Sequence, residues 1–194
     1  MDSKPKSLLE DWFPTRPIPW AIGFAALYLV LFLVQHLIGP TFSVIPDRID
    51  IVFLPAFARV AAVLIAGLAG LAGIAVGSFV VSLMLFQEPI GTAFWFSCAS
   101  ATGIWLSYWI VRQAMGTKPL PFTLPMLMVL SVLYCAFNAV IHGLTWELLD
   151  VTDYVSTTDL ALMMVGDLLG VLLMFGVVRL LLRRSTLIAK PLNQ

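Results

Sequence analysis

From Ile51 to Phe86 the chain runs through thirty-six residues with a single charge, Arg59. Such a run has few places to go. About 20 apolar residues match the hydrocarbon core of a bilayer, where every backbone N–H and C=O must find its partner within the protein. Four further apolar runs begin near Ile18, Thr92, Thr123 and Leu160. Over the whole 194 residues 60% are hydrophobic, 11% are charged and the mean hydropathy is +0.98, far from the balance of a soluble domain. The expected fold is an all-α polytopic membrane bundle of about six transmembrane helices.

The expected spans are Ile18 to Ile38, ended by Gly39 and Pro40, then two between Ile51 and Phe86 joined by a tight turn near Gly67 to Gly70. Three more cover Thr92 to Val111, Thr123 to Gly143 and Leu160 to Leu182. Six crossings bring both termini to one side. Lys4, Lys6, Arg16, Arg112, Lys118, Arg179, Arg183, Arg184 and Lys190 then share one face, while the opposite loops hold Asp47, Asp50, Glu88, Glu147, Asp150, Asp153 and Asp159 with Arg48 as their one base. Positive loops stay cytoplasmic, so both termini are expected there and the protein in a bacterial inner membrane. A single long tilted helix in place of the turn would give five crossings and split the positive loops. The expected organisation is a cytoplasmic segment 1–17, a membrane domain 18–182 and a cytoplasmic tail 183–194. No cleavable signal peptide is expected, since no small-residue cleavage pattern follows the first apolar run. Leu8 to Phe13 reads either as a short surface helix with Trp12 and Phe13 toward lipid or as a polar tail.

Two charges stand inside apolar runs, Arg59 and Asp167, eight residues in from Ile51 and seven in from Leu160. Both lie about 10 to 12 Å below the outer surface at 1.5 Å per residue. A charge at that depth costs on the order of 3 kcal/mol, so each needs a partner, a watery cavity or a function. The same level holds Gln35 and His36 on the first span and Asn138 and His142 on the fifth, the last two four apart and so on one helical face. Either Arg59 and Asp167 neutralise each other and set the register of two spans, or these six residues line an outward-facing polar site that binds a small molecule. The two histidines also permit a haem held between imidazoles, but both are shallow, and no cofactor is expected.

Elsewhere the residues favour plain structural roles. Gly67, Gly70, Gly73 and Gly77 allow close helix approach. Pro55 and Pro125 fall in first turns, which have no donor to lose. Cys98 and Cys135 read as packing residues, and Met126 and Met128 as core or lipid-facing ones. Glu147, Asp150 and Asp153, beside Trp146 and Tyr154, form an acidic outer loop without the glycine and oxygen spacing of a calcium loop, so no metal site is expected. Formal charge is zero with no basic face, which argues against nucleic acid. No nucleophile stands beside a base and an orienting acid, and no phosphate loop or zinc spacing occurs, so no enzymatic activity is expected.

The stretch LPAFARVAAVLIAGLAGLAGIAVGSFV, followed far downstream by MMVGDLLGVLLMF, resembles the first type of membrane-associated sensor domain of bacteria. The likeness covers about a third of the chain, with Pro55, Gly77, Gly166, Asp167 and Gly170 at the matching positions. Such domains usually precede a histidine kinase or a cyclic-dinucleotide enzyme and have about eight spans, so the resemblance implies a shortened, stand-alone version that signals through a partner. Six spans with an outward polar pocket are also similar in architecture to the solute-binding subunit of an energy-coupling-factor vitamin transporter. The expected function is a non-enzymatic sensory or accessory membrane module in contact with lipid and a partner protein, with such a transport subunit or a structural subunit of a larger complex as alternatives.

Overall fold

A computed structural model describes residues 16–38, 43–45, 49–116, 124–150 and 156–188. The suggested amino-terminal surface helix, most of the outer acidic loop beyond Asp150 and the carboxy-terminal tail beyond 188 lie outside the described residues. Among the described residues there are five α-helices: α1 (Pro17–Ile38), α2 (Pro55–Met84), α3 (Ile90–Met115), α4 (Leu124–Leu148) and α5 (Thr157–Ile188). Between α1 and α2 sits an antiparallel pair of short strands, β1 (Ser43–Ile45) and β2 (Ile49–Asp50). By length and composition α1, α2, α4 and α5 can cross a membrane. The 26-residue α3 is not among them, as its serines, threonines and tryptophans lower its hydropathy.

Six spans are therefore not what the structure contains. The expected second and third spans are one helical element broken at Gly67, whose φ of 53° and ψ of −130° suit only a residue without a Cβ. The chain reverses at this break. A Cβ on Gly70 would run into the backbone of Ala62, whereas residues eight apart in an unbroken helix are about 12 Å apart. The arms 55–66 and 68–84 measure about 18 Å and 26 Å, each short of the roughly 30 Å hydrocarbon thickness.

Direction can be followed from the contacts. Gly73 seats on the backbone of Ala21 and Gly77 on that of Ala25, so the second arm of α2 runs parallel to α1. Gly103 packs on Asn138 while Ser100 meets His142, and Gly143 packs on Leu160 while Asn138 meets Asp167, which makes α3, α4 and α5 successively antiparallel. Phe57 meets Phe175 edge to face, and Gly170 takes the Phe53 carbonyl, so α5 runs alongside the first arm. The start of α1 and the end of α5 thus lie at one end of the bundle, and the β1–β2 connection at the other.

Helix limits also differ from expectation. α5 begins at Thr157 rather than Leu160, because Ser156 Oγ accepts from the Asp159 N–H at 3.1 Å and the Asp159 carboxylate accepts from the Ser156 N–H at 3.0 Å, a reciprocal cap. α4 continues past Gly143 to Leu148, because that glycine is a packing seat for Leu160 rather than a stop. α2 starts at Pro55 rather than Ile51, leaving 51–54 as a non-helical strap. Two apolar cores flank the first arm of α2. One joins Phe24, Tyr28 and Leu31 of α1 to Phe57, Ala61 and Ile74, and the other joins Val60 and Val63 to Ile104, Leu130, Tyr134 and Val171.

Candidate functional site

Arg59 sits one turn into α2 and is 3% exposed. Small neighbours on the same arm, Ala56, Ala58, Ala62 and Val63, let three other helices close around it. Its Nη1 donates to Tyr134 Oη at 2.8 Å and Asn138 Oδ1 at 3.1 Å, both on α4. Its Nη2 donates to Tyr28 Oη on α1 at 2.8 Å and Ser100 Oγ on α3 at 3.0 Å. The ring centroids of Tyr28 and Phe53 lie 5.5 Å and 5.4 Å from the guanidinium carbon, within cation–π range. Nε has no hydrogen-bond partner, alone among the buried side-chain nitrogens and oxygens of the described residues.

Asp167 is 1% exposed, between Gly166 and Leu168 on α5. It makes no direct ion pair with Arg59. Asn138 stands between them, accepting from Arg59 through Oδ1 and donating from Nδ2 to Asp167 Oδ2 at 2.6 Å. An amide can do this because it carries an acceptor and two donors on one planar group, whereas a second charge there would repel one neighbour. The expected contact between two spans is thus a relay across three elements.

Of the six residues singled out from the sequence, Arg59, Asp167, Asn138 and His142 come together, the last through Ser100, whose Oγ lies 3.4 Å from His142 Nε2. Gln35 is buried at the edge of the group and holds the strap instead, donating to Asp50 Oδ2 at 2.9 Å and accepting from the Leu54 N–H at 3.0 Å. His36 is exposed and takes no part, because α1 turns it about 100° from Gln35. A haem between His36 and His142 has no support in this arrangement.

Tyr28, Tyr134, Ser100, Ser78 and Phe53 were not legible as members of the site. Two carried a signal. Tyr134 lies one turn before Asn138 on the Asn138–His142 face, and Tyr28 lies two turns before Gln35 on the buried stripe of α1. Ser100 and Ser78 carried none, because serines are ordinary on tightly packed membrane helices; Ser97 and Ser107, for instance, bond only backbone carbonyls.

The Ser100–His142 pair is the arrangement a serine nucleophile would use, but Ser100 Oγ already accepts from Arg59 and from Ser78 Oγ at 2.9 Å. These bonds tie the Ser100 hydroxyl into the Arg59 cluster. Cys98 and Cys135 are free thiols, and among the described residues no three His, Cys, Asp or Glu side chains converge as a metal set.

The strap 51–54, with β2 before it, closes the group on the side of the β1–β2 connection. The Phe53 N–H donates to the Gly166 carbonyl at 3.0 Å, Gly166 seats the Asp50 carbonyl and Gly170 that of Phe53. The glycine pair around Asp167 is what admits non-helical backbone so close to a helix. Backbone of this kind at membrane depth is tolerated where protein covers it or water reaches it.

Searches against family models, curated proteins and solved structures find no match for this chain.

Proposed function

We propose that the chain is a non-enzymatic integral membrane module that works through a protein partner, with the Arg59 cluster in the outer half of the bundle as its input and α5 as its output. The observation that carries this reading is the continuity of α5. One 32-residue helix holds Asp167 in the cluster and, about 26 Å further along, reaches Arg184. Between Gly176 and Arg184 every side chain except Val178 is exposed, including Leu180, Leu181 and Leu182 at 61% each. A change in the hydrogen bonds of Asp167 moves a rod whose far end is open to a partner. The resemblance of LPAFARVAAVLIAGLAGLAGIAVGSFV and MMVGDLLGVLLMF to a bacterial sensor domain agrees with that role.

The same reading takes the two arms of α2 as a hairpin that enters the membrane and returns to the side of the β1–β2 connection, which puts both termini in the cytoplasm of a bacterial inner membrane beneath Arg179, Arg183 and Arg184. Mild-detergent purification with mass spectrometry of proteins and extracted small molecules tests it. A stoichiometric signalling partner that is lost when the chain is cut after Val178 is the expected result. A chain that purifies without any protein partner overturns the reading, and a tightly held solute with an ATPase partner replaces it with the transport alternative.

A further inference from the structure

We infer that the Nε–Nη2 edge of Arg59 is a binding site for a carboxylate, covered by the strap residue Phe53. The inference rests on the cluster being the input of the module and names the chemistry of what it senses.

A guanidinium presents two parallel N–H bonds along its Nε–Nη2 edge, the geometry that matches the two oxygens of a carboxylate. On Arg59 the two edges are treated differently. Nη1 is committed to Tyr134 and to Asn138, which passes the interaction on to Asp167. The Nε–Nη2 edge meets no charged group: Nε is unpartnered, and Nη2 bonds only the hydroxyls of Tyr28 and Ser100. Both Nη2 protons are taken, by Tyr28 Oη and Ser100 Oγ, so a carboxylate on this edge displaces Tyr28 Oη from Nη2, and that hydroxyl, being donor as well as acceptor, then donates its own proton to the anion. A carboxylate on this edge gains two N–H bonds and one O–H bond, and gives the orphaned Nε a partner. Asp167 stays on the opposite side of the guanidinium, separated from the ligand by Asn138.

Phe53 accounts for access. Its ring covers the guanidinium at 5.4 Å, and it belongs to the strap, not to a helix. The strap is tied by Gln35, by the Phe53 N–H to Gly166, and by the Phe53 and Leu54 carbonyls, which accept from the Ala56 and Phe57 N–H groups at 3.2 Å, so access comes by swinging the Phe53 side chain away or by opening the first turn of α2.

A carboxylate can arrive from water or within the bilayer as a fatty acid. The full chain is placed in zwitterionic nanodiscs at constant ionic strength, and its thermal unfolding midpoint is followed against benzoate or oleate, with benzyl and oleyl alcohol as uncharged controls. A saturable rise with benzoate assigns a soluble carboxylate and one with oleate alone a lipid-borne one, the alcohols doing neither. Tyr28→Phe, which removes one hydroxyl, weakens the response about tenfold. Arg59→Lys, which keeps the charge and removes the two-pronged edge, abolishes it; where that variant does not fold, Tyr28→Phe decides. No saturable rise with either acid, or a rise unchanged in Tyr28→Phe, overturns the inference. A chain that captures its partner through α5 yet ignores both acids sinks this inference alone, whereas carboxylate binding by a chain without a partner sinks only the module reading.

Discussion

Arg59 holds a positive charge in a buried place with no acid in direct contact, and it does so with four neutral acceptors from three helices. Each bond to a charged donor is worth about 1.5 to 3 kcal/mol, so together they are of the size needed to offset burial. Asn138 is the residue on which this balance turns. Asn138→Ala leaves both Arg59 and Asp167 short of a partner and should cost about 3 kcal/mol, read as a lowered unfolding midpoint in mild detergent. Arg59→Leu alone should cost about 3 to 5 kcal/mol, since it strands Asp167, and adding Asp167→Leu should restore part of that loss. Because Asn138 bonds both charges, the interaction energy of that double-mutant cycle should shrink when Asn138 is alanine, the remainder being the through-space attraction of the two buried charges; an unchanged coupling would mean that Asn138 carries none of it.

Among the elements, the break in α2 depends on one residue. Gly67→Ala places a Cβ in a backbone region that costs about 1 to 3 kcal/mol and should lower the midpoint accordingly. Gly176→Ala on α5, where a Cβ meets nothing within 4 Å, should be neutral or raise stability by up to about 1 kcal/mol. A Gly67→Ala variant as stable as the parent would mean that the reversal is made elsewhere. Helix ends follow local rules as well: Ser156→Ala removes the reciprocal cap of α5 and should cost about 1 kcal/mol. That cap was legible as Ser156 followed three residues later by Asp159, a signal that lies just outside the apolar run from Leu160. The end of α4 was not legible, because Gly143 reads as a helix stop until Leu160 of the next helix is seen against it.

For the whole molecule the decisive property is where the two ends of the chain lie. With both termini cytoplasmic, a carboxy-terminal alkaline phosphatase stays inactive. With Cys98 and Cys135 replaced by alanine, a cysteine at the exposed Leu148 reacts with an impermeant maleimide from outside. An active phosphatase would invert the bundle and put the Arg59 cluster toward the cytoplasm.

Membrane class, helical architecture and the identity of Arg59, Asp167, Asn138 and His142 as unusual residues were determined by the sequence alone, because long apolar runs leave the backbone no other solution and a charge within them stands out by its cost. The number of crossing helices was not, since a turn inside an apolar run changes little but the φ and ψ of Gly67. Nor was the wiring of the site. Only the tertiary structure decided that Arg59 reaches Asp167 through Asn138, that tyrosines of α1 and α4 share the guanidinium, and that Phe53 lies over it. Those relations join residues up to 79 positions apart in the sequence, and hydrogen bonds at that separation are set by how the helices pack, not by the periodicity of any one of them.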